Sequence, residues 1–470
     1  MVTQRSTAVR ASSAPASVRP IADLRLGHDE DVCYRALGGR DTAPGSPEWN
    51  RRGDVVGRAM RSIHEGVIDR EGVSGLARRL GYSPRHLQRL LVAEVGAGPL
   101  ELARAQRAET ARVLLETTDL RAAEVAFASG FGSVRQFNDT IREVFADSPS
   151  AMRERAGRRA SFVGSRAAAG GGPRSVTLRL AFREPFPLEV MFGFLAERAV
   201  PGVEEGDSGH YRRALSLPHG AGVVTVRDGG PGALRCSFQL DDLRDLTLAA
   251  RRVRQLFDLD SDPAAVTDVL AGDRALGAAV AKRPGLRIPG HVDGNELAVR
   301  AVLGQQVSVA GARTLAGRLV RAHGRVLRAP VGTVLREFPT AEVIAGLDVH
   351  ELPMPGSRGR ALIGLAEALS SGDLVLDPGA DRDAVCDRLL ALPGIGPWTV
   401  AYVRMRALGD PDAFMPSDLG VRRALERMGL PSGARPASLL AESWRPYRAY
   451  ALQYLWAGLS DAARPRRPSA

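Results

Sequence analysis

The sequence predicts a multidomain, mainly α protein with one smaller α+β domain. Three observations carry that expectation. The 470 residues correspond to about three domains of ordinary size. The hydrophobic period runs helical, then alternating, then helical again along the chain. A Gly/Ala/Arg-rich stretch separates the first helical part from the rest of the chain.

In order, residues 1–50 are rich in Ser, Ala, Pro and Gly without sustained periodicity and read as a disordered tail. Residues 51–155 carry short amphipathic segments broken by Gly and Pro, the texture of a helical domain. Residues 156–175 form a linker. Residues 176–285 contain strand-like alternation at Val176–Phe182, Tyr211–Ser216, Gly222–Arg227 and Leu234–Phe238, then a helix at about Leu243–Phe257, and read as the α+β domain. Residues 286–460 read as nearly all helical, and 461–470 as a loose basic tail.

Composition narrows the function. Sixty-four basic residues against 53 acidic ones, with a pI near 10.4, favour a polyanionic partner. The basic residues include one lysine, Lys282, which leaves Schiff-base chemistry almost without a side chain. Cys33, Cys236 and Cys386 lie far apart, so neither a four-cysteine zinc site, an iron–sulfur cluster nor a disulfide scaffold is expected. No apolar run approaches the roughly 18 residues of a membrane span. The N-terminus has basic residues but no apolar stretch behind them. The expectation is a cytoplasmic, nucleoid-associated protein with no membrane partner.

In the first helical domain, a helix ends at Gly81, Ser83 can cap the next one, and Pro84 suits its first turn. Leu87, Leu90 and Leu91 then face inward and Arg85, His86, Gln88 and Arg89 outward, as in a helix-turn-helix whose donors reach phosphates and base edges. A second turn around Gly130, Phe131 and Ser133 leads into a helix bearing Arg135, Gln136 and Asn138. The doubled pattern resembles the AraC-type DNA-binding domain, in the form found in Ada-type regulators of the alkylation response. By that resemblance the two second helices enter successive major grooves. Asp31–Ala36 looks like the start of the zinc methyl-acceptor module of such proteins and Thr42–Asn50 like the segment after it, with the cysteine-bearing middle missing. Cys33 is therefore expected to be a remnant, and neither zinc binding nor methyl transfer is expected.

In the last domain, Leu392-Pro393-Gly394-Ile395-Gly396-Pro397 joins two apolar helices. Two glycines around one aliphatic residue let backbone N–H groups turn outward at a helix N-terminus, where a phosphate can be held. Asp418 lies 22 residues after Gly396 and precedes a helical run, so it reads as an N-cap, a position that favours the ionised carboxylate. Hairpin and downstream aspartate together resemble the helix-hairpin-helix DNA glycosylases, most closely the AlkA type, the 3-methyladenine DNA glycosylase II family. Ala301–Ala310 resembles that family's early interdomain motif, Trp444–Trp456 its closing helix, and the α+β domain its N-terminal part.

The resemblance implies an enzyme that flips an alkylated purine out of the duplex and hydrolyses its N-glycosidic bond. It makes Asp418 the catalytic carboxylate, Gly394, Ile395 and Gly396 the backbone-gripping hairpin, and Trp398, Tyr402 and Trp456 the pocket for a cationic base. Tyr450 and Tyr454 are expected to be core. Bifunctional relatives carry a lysine where Trp398 stands, so the resemblance implies monofunctional chemistry that leaves an abasic site. Gln306 occupies the position of the family's aliphatic wedge. No metal is expected at the site, although the resemblance allows a monovalent cation at the hairpin. The run Asp373, Asp377, Asp381, Asp383 is read as loop and helix-cap chemistry. The rival reading is a transcription regulator, binding a promoter operator, whose glycosylase half only binds DNA.

Overall fold

The computed structural model describes residues 47–157 except Glu65 and Asp119, and residues 174–463 except Pro353. Cys33, nearly all of the expected tail and linker, and residues 464–470 lie outside them.

The first unit contains α1 (Pro47–His64), α2 (Val67–Leu80), α3 (Pro84–Val95), α4 (Pro99–Thr117), α5 (Ala122–Ala128), α6 (Val134–Phe145) and α7 (Pro149–Gly157). Its two turns form for local reasons. Gly81 and Gly130 take left-handed φ values of 77° and 81°, which cost glycine little. Ser83 Oγ then accepts from His86 N at 3.2 Å and Ser133 Oγ from Gln136 N at 3.2 Å, capping α3 and α6. Leu87 and Leu91 of α3, and Phe137 and Ile141 of α6, are buried; Leu90 is only partly so.

Next in the chain is a five-stranded antiparallel sheet: β1 (Arg174–Ala181), β2 (Glu204–Gly206), β3 (His210–Leu217), β4 (Gly220–Asp228) and β5 (Ala233–Leu240), in the order β1-β5-β4-β3-β2. The sheet packs with α8 (Leu188–Arg198) and α9 (Leu246–Leu256), which contribute Met191, Phe192, Leu195, Ala249, Val253 and Leu256 to the core. After α10 (Pro263–Leu270) and α11 (Gly277–Lys282), the helical lobe runs α12 (Gly294–Leu303), α13 (Val309–His323), β6 (Val326–Val331), β7 (Val334–Arg336), α14 (Ala341–Ala345), α15 (Gly356–Ser370), α16 (Arg382–Ala391), α17 (Pro397–Arg406), α18 (Leu419–Arg427), α19 (Ala434–Leu440) and α20 (Arg448–Ala463).

Four features differ from the sequence expectation. Helix α1 starts at Pro47, inside the expected tail, and β1 starts at Arg174, inside the expected linker. The segment around α10 and α11, assigned to the α+β domain, buries Val266, Leu270, Leu276 and Val280 with Trp444, Tyr450 and Leu452 of the helical lobe. The sheet's own core is already filled by α8 and α9, so these short helices find their apolar cover elsewhere. The β6–β7 ribbon interrupts a region expected to be helical; strands this short barely register in a periodicity, and Gly332 makes the turn at φ 61°.

Candidate active site

A cavity of about 950 Å³ opens between α8 and the helical lobe, at the upper end of the ~300–1,000 Å³ usual for small-molecule sites. Phe194 and Arg198 line one wall, and Trp398, Tyr402, Arg406, Asp418 and Trp456 the other.

Asp418 is the N-cap of α18: its Oδ1 accepts from Val421 N at 2.9 Å. Trp398 Nε1 donates to Oδ2 at 2.9 Å, and Trp456 Nε1 donates to Oδ1 at 2.9 Å. The carboxylate is thus held by three N–H donors, from α17, α18 and α20. The two indoles therefore do more than line a pocket; they orient the acid. Sequence reading missed Gly420, two residues further on. A Cβ there would lie 2.9 Å from Asp418 Oδ1 and from Trp456 Cδ1 and Nε1, so only glycine lets that indole reach the carboxylate. Its signal was a glycine inside a helix, where it costs about 1 kcal/mol relative to alanine.

Trp398 and Tyr402 stack with centroids 5.1 Å apart and planes 13° from parallel, one helical turn apart on α17. The Arg406 guanidinium lies 5.2 Å from the Tyr402 centroid and donates to the phenol oxygen. Tyr402 therefore lines the cavity as the partner that backs Trp398. Burial pushes the Tyr402 phenol up, and the guanidiniums of Arg406, Arg198 and Arg300 more than offset it, leaving the phenol below its ordinary value. Arg406 also lies 5.2 Å from the Phe194 centroid, and Arg198 lies 3.9 Å from the same ring, so this cation–aromatic array crosses the cleft. Tyr450 and Tyr454 are buried in the core. Lys282, expected far from these motifs, neighbours the lining residue Arg283 but does not itself line the cavity.

The hairpin sits on the surface beside the cavity. Gly394 is exposed at φ 83°, and a Cβ there would meet Ala361 Cβ at 2.7 Å. Ile395 is buried and anchors the loop, so anything it offers a phosphate comes from its backbone. Gly396 is the N-cap of α17 and Pro397 its first residue, which leaves the first-turn N–H groups without intrahelical acceptors. Gln305 Nε2 donates to Gly394 O at 3.1 Å and to Thr399 Oγ1 at 3.2 Å, tying the end of α12 to the hairpin. Gln306 is exposed in a left-handed conformation at φ 57° and lies outside the cavity lining, which instead includes Val307.

In the first unit Arg85, His86, Gln88, Arg89, Arg135 and Gln136 are exposed and Asn138 is half-buried. Several are already engaged. His86 stacks on Tyr82 at 5.0 Å, Gln136 Oε1 accepts from Gly132 N at 3.3 Å, and Gln88 folds against Gly98.

One buried cluster was not foreseen. Glu204 Oε1 accepts from Tyr211 OH at 2.6 Å, Arg213 Nη1 at 2.9 Å and Arg300 Nη1 at 3.0 Å, while Glu296 accepts from both arginines. Burial pushes the Glu204 carboxyl up, and Arg300 and Arg213 outweigh it, holding it at about 2. With His291 these carboxylates lie close enough to ligate a metal ion, but two guanidiniums already neutralise them, and a dication would face both. Arg300 Nη2 also donates to Arg198 O at 2.8 Å, so the cluster fastens the sheet and α8 to α12.

Comparison with known proteins matches three successive regions along the chain, and the second of them contains α10 and α11. A model described as AlkA N-terminal domain matches residues 177–293, a helix-turn-helix domain model matches 76–155, and the HhH-GPD superfamily of base excision DNA repair proteins matches 299–449. A Mycobacterium tuberculosis protein described as "Probable bifunctional transcriptional activator/DNA repair enzyme AlkA" is 52% identical over 440 residues, covering 94% of this chain and 87% of its own. DNA-3-methyladenine glycosylase 2 of Escherichia coli is 35% identical over 286 residues, 59% of this chain and 95% of its own. In fold, a 3-methyladenine DNA-glycosylase from Archaeoglobus fulgidus superposes with a TM-score of 0.54 at 23% identity, over 61% of this chain and 99% of its own. The chain belongs to the AlkA family of helix-hairpin-helix DNA glycosylases, with a helix-turn-helix domain of the AraC type fused ahead of the glycosylase part.

Proposed function

We propose that this chain excises alkylated purines of the 3-methyladenine and 7-methylguanine type from double-stranded DNA, leaving an abasic site. The observation that carries the reading is Asp418, bracketed by the Trp398 and Trp456 indole N–H groups at the wall of a cavity roomy enough for a flipped base, beside the hairpin. The hairpin holds the backbone through outward N–H groups, and the damaged nucleotide swings into the cavity. The outer face of Trp398, backed by Tyr402, attracts a cationic base. As the glycosidic bond breaks, positive charge grows on the sugar, and the Asp418 carboxylate stabilises it or takes the proton of the attacking water. The leaving base already carries positive charge, so no strong acid is needed.

In this reading no zinc, iron–sulfur cluster or other cofactor takes part, and the lysine needed for strand cleavage is replaced by Trp398. A monovalent cation, if one binds at the hairpin, would be held by the carbonyls around Gly394 and Gly396 and would supply positive charge toward a DNA phosphate. The helix-turn-helix unit adds duplex affinity through Arg85, Arg89 and Arg135 and reads base edges, at a promoter operator among other sites, through His86, Gln88, Gln136 and Asn138. Among the described residues no helix is long and apolar enough to cross a membrane, and we place the protein in the cytoplasm with the nucleoid.

The test is single-turnover excision from a duplex bearing 7-methylguanine or 3-methyladenine, comparing wild type with Asp418→Asn. Removing one preorganised stabiliser costs about 100- to 1,000-fold in rate. Base release by wild type at that ratio over the variant, with a strand that breaks only on alkali treatment, is expected. Tight DNA binding without release from either protein would leave a regulator whose glycosylase half only binds DNA.

A further inference from the structure

The middle of the acidic run, from Asp377 to Asp381, meets the first unit. Arg58 Nε donates to Gly379 O at 3.1 Å and Arg58 Nη1 pairs with Asp381 Oδ2 at 3.3 Å. Arg61 Nε donates to Pro378 O at 2.7 Å, and Arg79 Nη1 donates to Asp377 Oδ2 at 2.9 Å. A methyl on Gly379 would overlap Ser62 Oγ, so the glycine permits this close approach. Helices α1 and α2 of the first unit are thus seated on the loop that precedes α16 in the helical lobe. The second half of the unit is seated elsewhere. Leu120, Val125 and Phe131 belong to one continuous apolar core with Leu243, Leu246 and Phe192 of the α+β lobe, and Thr247 Oγ1 donates to Thr110 Oγ1 at 3.4 Å. The unit therefore straddles the two lobes that form the base cavity.

Each seat leads to one wall. From the loop at 377–381, α16 runs for about 15 Å to the hairpin and α17. Arg404 of α17 donates to Asp383 Oδ1 at 2.6 Å, and Arg382 donates to Gly409 O at 3.1 Å, so α16 and α17 are tied to each other. Trp398, Tyr402 and Arg406 stand on α17. From the other seat, Leu246 and Phe257 share the core with Phe192 of α8, whose Phe194 and Arg198 line the opposite wall.

We propose that the helix-turn-helix unit is a brace across the base cavity, so that cavity geometry and duplex engagement by that unit are thermodynamically coupled. The arrangement supplies what such a coupling requires: a contiguous packed route from each seat to one cavity wall. Whatever the unit gains by binding DNA in this pose is shared with the cavity, and the coupling is reciprocal. Arg58, Arg61 and Arg79 act here as positioning residues, spent on the protein and not on phosphates.

The test uses the full chain with Arg58→Ala/Arg61→Ala, and Asp377→Asn as a milder break of the same seat. Circular dichroism checks that both variants are folded, and Arg58→Lys/Arg61→Lys tests partial rescue. Two readouts are taken. Hydrogen exchange without DNA is expected to rise over residues 392–396 and 397–406, the hairpin and the wall reached from this seat. Single-turnover excision at saturating enzyme is expected to fall about 10-fold, within the usual range of coupling. Unchanged exchange in those segments overturns the brace. So does a variant whose half-saturating concentration shifts while its maximal rate stays, which is the behaviour of a mere tether. The excision arm rests on the glycosylase reading: if wild type releases no base, that reading fails and the exchange arm alone decides the brace.

Discussion

Gly420→Ala separates stability from chemistry at this site. The added methyl would sit 2.9 Å from Asp418 Oδ1 and from Trp456 Cδ1 and Nε1, where ordinary contact needs well over 3 Å. Both neighbours belong to the charged hydrogen bond between Trp456 Nε1 and Asp418 Oδ1. The indole therefore has to withdraw by several tenths of an ångström, and a bond to a charged group is worth about 1.5–3 kcal/mol. Felt in the transition state, that loss lowers the rate by about 10- to 150-fold at 1.36 kcal/mol per decade. Gly420 is the second residue of α18, and alanine there restores up to about 1 kcal/mol of helix propensity. The expected outcome is a variant with near-wild-type melting temperature and much slower excision in single turnover, with tryptophan fluorescence reporting the displaced indole. A variant that excises within twofold of wild type would refute the claim that Trp456 orients Asp418.

Three further outcomes rest on the same geometry. Asp258 is held at about 6, chiefly by burial against the partial relief of Arg287. A raised carboxyl stabilises the fold only while protonated, so stability should fall as pH rises from roughly 4 to 6, by at most about 3 kcal/mol. Asp258→Asn keeps an acceptor for Tyr450 and tolerates φ 52°; it should flatten that dependence and raise the melting temperature above pH 6. Gln305→Ala removes the tie to Gly394 O and Thr399 Oγ1 and should weaken binding to undamaged duplex by a few-fold in fluorescence anisotropy, at about 0.5–1.5 kcal/mol per lost bond. Gly394→Ala forces a side chain into a left-handed conformation against Ala361; it should weaken duplex binding irrespective of sequence, with the helix-turn-helix unit still folded by circular dichroism.

The family and the capping position of Asp418 were legible in the chain because their signals are local. Gly81 and Gly130 had to end helices, Ser83 and Ser133 had to cap the next ones, and the glycines at 394 and 396 had to turn between two apolar helices. Asp418 announced itself as a cap for the same reason. Such features depend on a few neighbouring residues and one φ angle, so a one-dimensional reading reaches them.

Tertiary structure alone decided the rest. Trp398 lies 20 residues from Asp418 and Trp456 lies 38, and nothing in either spacing says that both indoles donate to one carboxylate. Tyr402 was expected in the base pocket, but only packing shows that it stacks on Trp398 and meets the Arg406 guanidinium. Likewise α10 and α11 follow the α+β domain in sequence and fall within the matched AlkA N-terminal region, yet their apolar faces pack on the helical lobe. The acidic run at Asp373–Asp383 read as loop caps, which Asp381 is, yet the other side of those carboxylates meets arginines more than 290 residues earlier in the chain. Periodicity records which face of an element is apolar; which distant surface fills that face depends on shape and burial over the whole chain, and that is settled only when the chain folds.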